Sequence, residues 1–380
     1  MLIQIHMLQN YAPSLLNRDD SGAAKSAYFG NTQRGRISSQ CIKRSIRTST
    51  AFREAFEKDG LLAIRTQRLP LLIDKALQSL GADEAARIAI VQRVPEIGQE
   101  STKKGKEKIV DPEKLETRQL IFLNHHEAQE IARKLLEMYR QEGDAKWKKL
   151  KIEEMTKRLG SSVPRSVDIA LFGRMTTTPA FEDVQAACQV AHALSTNQLT
   201  RVYDYFTAVD DLKQQDPDAD AGAGMIGDVE LNSSTYYKYF NIHWEGLLEN
   251  LGGDEEVARR AVLSFIEAAA VAQPSGKQNS TAAFQLPDFI LVEVAERNLP
   301  VSYANAFLKP VTPDYKHTLM ENSIRALDSY AQRLQKAYPL EGPSAYFSIV
   351  ETSLGFAEDV ESLPGLQRWV ETQITEAIHG

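Results

Sequence analysis

Between residues 60 and 165 the apolar pattern of this chain changes period, and that change restricts its fold more than any other feature. Leu71, Leu72, Leu77 and Leu80, then Ile131, Leu135, Met138 and Tyr139, recur at three- and four-residue spacing, which predicts helices. Between them, residues 101–118 are rich in Lys and Glu and poor in apolar groups, as expected of a mobile loop. Before the block, Ile3, Ile5 and Met7 alternate as in a half-buried strand. After it, 167–175 reads as a strand, 181–195 as a helix, and Tyr236–Ile242 and Phe289–Val294 as further strands. Val257–Ala272 and two late segments, Ile324–Tyr338 and Leu366–Ile378, have helical spacing. A sheet domain interrupted by a helical insertion satisfies this order, and the fold class expected is α+β of the split-βαβ kind.

At 380 residues the chain has room for two or three units with substantial cores. Two cysteines, Cys41 and Cys188, are too few for a disulfide framework and have no metal-binding spacing, which fits a reducing cytoplasm. No basic leader or cleavage site accompanies the apolar N-terminus, and no run approaches about 18 apolar residues, so no signal peptide, spanning helix or membrane partner is expected. The net charge of −7 excludes a protein that coats polyanions by bulk charge, so any such site must be a local patch.

One patch stands out. From Arg18 to Arg53 eight basic residues face only Asp19 and Asp20. On a helix opening at Ser38 and running to about Phe56, Gln40, Lys43, Arg44 and Arg47 share one face, and Ile42, Ile46, Ser49, Phe52 and Phe56 lie opposite. Ser38 and Ser39 place backbone amides at the positive end of the helix dipole, beside Arg34 and Arg36. A phosphate backbone suits this surface, although periodicity alone leaves a merely solvated face equally open. Three weaker candidates accompany it. Arg174 and Met175, followed by three threonines, offer a wedge and hydroxyls, where a core methionine is the commoner case. Tyr203, Tyr205 and Phe206, next to Thr207, are stacking aromatics or core. Lys277 and Gln278 lie in a polar loop.

Catalytic motifs are absent: there is no phosphate-binding P-loop, nucleophile elbow, H-E-x-x-H or dinucleotide fingerprint. His125 and His126 lack a spaced third ligand and read as surface residues, and His6 reads as a packed core residue. No enzyme activity, metal or other cofactor is expected.

Four motifs in order, Ser14–Asp20, Phe29-Gly30 leading to Arg36–Gln40 and Lys43-Arg44, Val167–Met175, and Phe206–Leu212, resemble the CasC family, the repeated backbone subunit of the type I-E CRISPR Cascade complex. The resemblance continues through Tyr303–Phe307 to the helix around Trp369. It implies an RRM-like (ferredoxin-like) palm, helical fingers and a β-hairpin thumb. The palm would comprise 1–59, 166–195 and 236–380, the fingers 60–165 and the thumb 196–235. It also implies that copies stack along one crRNA, whose bases pair with target DNA, beside other Cascade subunits. Arg18, Lys25, Ser38, Gln40, Lys43, Arg44 and Arg47 would line the guide, Met175 would wedge beside a displaced nucleotide, and Phe206 with Thr207 would belong to the thumb. Lys277 and Lys309 are further carry-overs. Two rival readings are an RRM-fold ribonuclease that processes precursor crRNA and an interaction protein that binds no nucleic acid. Residues 210–230 carry seven acids against Lys213, and such charge is expected to point away from RNA.

Overall fold

The computed structural model describes residues 1–97, 115–117, 119–159, 166–176, 180–208, 225–340 and 342–379. Most of the charged stretch 101–118, the hydroxyls of Thr177 and Thr178, and the acids from Asp210 to Asp220 lie outside the described residues. The chain forms a mixed α+β structure in two compact units. One comprises Met1–Ala51, Val190–Asn241 and Leu263–Gly380; the other comprises Phe52–Gln189 and Ile242–Val262.

The first unit is built on a large sheet. Its strand order is Glu358–Asp359, Ser344–Ser348, Phe289–Ala295, Leu2–Ser14, Met225–His243, Ala193–Ser195, Thr32–Ile37 and Ser26–Phe29. The first strand runs antiparallel to Phe289–Ala295, with Leu2 opposite Ala295 and Leu8 opposite Phe289. Its alternation suggests one solvated face, yet every residue from Leu2 to Leu8 is buried. The polar members have polar neighbours in place, although the His6 Nε2 makes no hydrogen bond among the described residues. Tyr239 donates to Gln4 Oε1 at 2.7 Å, and His6 lies 2.8 Å from the Tyr237 hydroxyl through Nδ1 and 3.0 Å from Glu293 through Nε2. On this face Leu8, Leu291, Tyr303 and Phe307 pack with Met320, Ile324 and Leu327 of the helix Leu319–Ala337, whose N-terminus carries a Thr318–Glu321 capping box.

On the other face, fully buried Lys238 contacts Gln9 Oε1 and lies 3.4 Å from the Tyr11 hydroxyl. Burial pushes its ammonium down to about 7. A base whose pKa falls on folding binds fewer protons folded than unfolded, so stability rises with pH between about 7 and the ordinary lysine range. Denaturant titrations at pH 7 and pH 9 are expected to show a gain on the order of 2 kcal/mol, which Lys238→Met should remove.

The second unit gathers the helices Leu69–Ser79, Glu84–Val91, His125–Trp147 and Ile152–Leu159 around Leu77, Ile90, Leu135 and Trp147. It starts at Phe52 and takes in 166–189, segments that the resemblance assigns to the palm.

Several elements correct the sequence reading. Residues Val167–Phe172 are a helix, not a strand, closed by Gly173 at φ 77°. A short apolar run fits either element, and here the Asp168 carboxylate accepts the Ala63 amide from beside the helix start. Residues 181–195 contain no helix; they hold the short strands Cys188–Val190 and Ala193–Ser195. The helix opening at Ser38 stops at Thr48, because Ser49 is extended (φ −67°, ψ 150°), and Thr50–Phe56 forms a separate helix. Within the polar loop 17–37 lies a hairpin, Ser26–Phe29 with Thr32–Ile37, turned by Gly30 and Asn31 at φ 57° and 59°. Positive φ at both central residues is the type I′ requirement. A Cβ at Gly30 would fall 1.8 Å from the Leu308 carbonyl oxygen, so only glycine fits.

Candidate nucleic-acid interface

The basic helix spans Ser39–Thr48 and has no acidic residue. Ser38 caps it, its hydroxyl accepting the Cys41 amide at 3.3 Å. Ile42 and Ile46 are buried; Gln40 and Arg44 are exposed, and Lys43 and Arg47 are half-buried. The anchor and the cationic stripe thus occupy opposite faces of one short helix.

Asn17 fastens the neighbouring segments to its N-terminus. Its side-chain oxygen accepts the Ser38 amide at 2.9 Å, and its carbonyl accepts the Lys25 amide at 2.9 Å. The Lys25 carbonyl in turn accepts the Arg36 amide at 2.9 Å, so Lys25 and Arg36 are adjacent. Arg18 is exposed at the start of a turn that Asp19 organises by accepting the Ser21 amide, the Ser21 hydroxyl and the Ala23 amide. The Ser21 hydroxyl, foremost, holds the Asp19 carboxyl below its ordinary range, so the turn is kept by an anion that is already satisfied. Lys277 is exposed in a left-handed conformation (φ 52°), and the preceding Gly276 sits against the Leu15 and Leu16 carbonyls. The structure therefore brings Arg18, Lys25, Arg36, Ser38, the helix stripe and the Lys277 loop to neighbouring segments of the first unit.

Two predicted contacts are corrected by burial. Arg34 is 0% exposed, and its guanidinium donates to the carbonyls of Ser195, Thr196, Phe307 and Leu308 at 2.7 to 3.3 Å. Arg174 is likewise interior, bonded to the Phe122 and Glu182 carbonyls and paired with Glu127 at 2.8 Å. Neither guanidinium reaches a phosphate in solvent; the hydrogen bonds each makes are all inside the protein. Met175, the next residue, belongs to the second unit and is 93% exposed. Lys309 is exposed and follows Leu308, the residue packed over Gly30.

The strand Arg201–Ala208 pairs antiparallel with 225–232, and all eight of its residues are exposed. Phe206 lies opposite Gly227, and its ring covers the glycine, whose Cβ would fall 2.6 Å from it. Tyr203, Tyr205 and Thr207 point to the other face.

His192 gave no sequence signal. It stands 153 positions after Ser39, yet its Nδ1 accepts the Ser39 amide at 3.0 Å. Partial burial first, then the charges of Arg36 and Lys25, hold its imidazole below the ordinary histidine value. Among the described residues no group of three or more His, Cys, Asp or Glu is placed to hold a metal ion, and no helix is long and apolar enough to cross a membrane.

Solved structures and family comparisons agree with this architecture. A chain of a "CRISPR RNA-guided surveillance complex, pre-nicking" is 30% identical, with 98% of this chain and 100% of that chain covered and a TM-score of 0.81. A chain of a second "CRISPR RNA-guided surveillance complex" is 25% identical at the same coverage, with a TM-score of 0.69. Among curated proteins none matches. The CT1975-like protein family is matched over residues 3–371, nearly the whole length, and the chain belongs to that family.

Proposed function

We propose that this chain is a non-catalytic crRNA-binding backbone subunit of a Cascade surveillance complex. Copies of it polymerise along the guide and present its bases for pairing with target DNA, beside other Cascade subunits. The observation that carries this reading is the acid-free cationic helix, capped by Ser38 and flanked by Arg18, Lys25 and Arg36. The likeness to chains of RNA-guided surveillance complexes supports it. The type I-E assignment, the RRM-like palm with fingers and thumb, and the wedge role of Met175 rest on the motif resemblance.

Contacts through Lys, Arg and backbone amides hold phosphates whatever the base sequence, leaving base edges free. One protomer contributes a few such contacts, and many protomers on one strand multiply the attraction. Protein purified from its host under mild salt is expected to carry RNA, seen as a raised 260/280 nm absorbance ratio. Labelled repeat RNA incubated with it and Mg²⁺ should stay intact. Cleavage would support the ribonuclease reading, and nucleic-acid-free protein that binds no added RNA would remove the proposal.

A further inference from the structure

We infer that His192 is a phosphate-binding residue of this interface, donating its Nε2–H to a non-bridging oxygen of the same phosphodiester that Lys25 and Arg36 neutralise. The inference rests on the RNA-binding reading above and adds a residue to that site.

The hydrogen bond from Ser39 defines the state of the ring. A backbone amide can only donate, so Nδ1 carries a lone pair, and the single proton of the neutral imidazole is on Nε2. Protonation would place a second N–H against the Ser39 amide, and Arg36 and Lys25 disfavour a third positive charge beside them. The ring therefore stays neutral near pH 7 and presents one donor of fixed orientation at its exposed edge.

Three further facts identify the ligand. Lys25 and Arg36 are joined through their main chains, and both of their charges act on the ring. The Arg36 Nε is shielded from solvent and has no hydrogen-bond partner among the described residues. The cluster also sits at the first turn of the ten-residue basic helix, the positive end of its dipole. Two cations, a neutral N–H and a shielded unused N–H together suit an anion with more than one acceptor oxygen. A phosphodiester has that chemistry, with one negative charge shared over two non-bridging oxygens, and it is the anion that the RNA-binding reading brings to this helix.

Two substitutions separate binding from capping. His192→Asn keeps an acceptor oxygen near the Nδ1 position for Ser39 but has no donor at Nε2. His192→Gln reaches the Nε2 position with its amide N–H₂ and gives up the cap. With the full chain and a labelled single-stranded RNA, His192→Asn is expected to weaken binding roughly tenfold and leave the salt dependence unchanged, since no counterion is released by a neutral donor. His192→Gln should stay within about twofold of the parent. The inference is overturned if His192→Asn binds like the parent, because His192 would then only cap the helix, or if both variants lose affinity equally at unchanged melting temperature, because the donor that Gln retains would then not be what holds the RNA. A control lacking the charges of Lys43, Arg44 and Arg47 separates the two levels. Loss in that control with no change in His192→Asn sinks the histidine alone, and a parent chain that binds no RNA sinks both.

Discussion

Exchanging Lys43, Arg44 and Arg47 together for Glu is expected to abolish RNA retention, lowering affinity at physiological salt at least 100-fold. The three positions lie on the face opposite Ile42 and Ile46, so the apolar anchor is untouched. Glu is as good a helix former as Lys and Arg, and repulsion among the three new carboxylates on this surface costs only a few tenths of a kcal/mol per pair. A melting temperature close to that of the parent should confirm that the loss is one of binding. Replacement by Gln refines the result. For single strands the logarithm of affinity falls with the logarithm of salt by about 0.7 for each neutralised phosphate, so removing three cations should lower that slope by about 2. Filter binding across a salt series measures both quantities. Unchanged retention in the Glu variant would favour an interaction protein that leaves nucleic acid alone.

Arg34→Met is expected to act on stability instead, costing on the order of 4 kcal/mol in the unfolding of the first unit. Four carbonyl contacts end on this one buried guanidinium, drawing in the segments around Ser195 and Phe307. A methionine fills part of the volume and satisfies none of the oxygens, each of which then pays its desolvation. Lys at this position supplies a point charge in place of a planar fork, so it should rescue little. Denaturant melts of the parent and both variants measure the effect. A variant of parental stability with weakened RNA binding would return Arg34 to the interface.

The sequence made some of this legible because local physics decided it. The Ser38 cap, the buried pair Ile42 and Ile46, and the cationic stripe are all encoded within ten residues, where helical spacing is a sufficient guide. The strand Phe289–Ala295 and the helix Leu319–Ala337 were readable for the same reason. Readability failed where long-range partners decide. Val167–Phe172 is apolar at every position except Asp168, so its period is ambiguous, and the carboxylate that settles the matter bonds a residue 105 positions away. A count of positive charges treats Arg34, Arg36 and Arg174 alike, while tertiary packing buries two of them against carbonyls. His192 is invisible to any window, since its partner Ser39 is distant in sequence and adjacent only in space.

The alternation of Phe206 and Thr207 across the paired strands has a geometric consequence. A β-layer with side chains on both sides is roughly 10 Å thick, and consecutive bases in a stack are about 3.4 Å apart. A guide strand parted by this layer would meet the phenyl ring on one flank and the hydroxyl on the other. No single stacked step spans that thickness, so in the assembly that the motif resemblance implies the base at the crossing would swing out. Regular gaps in pairing would then follow from the dimensions of the ribbon, independent of which letter stands there.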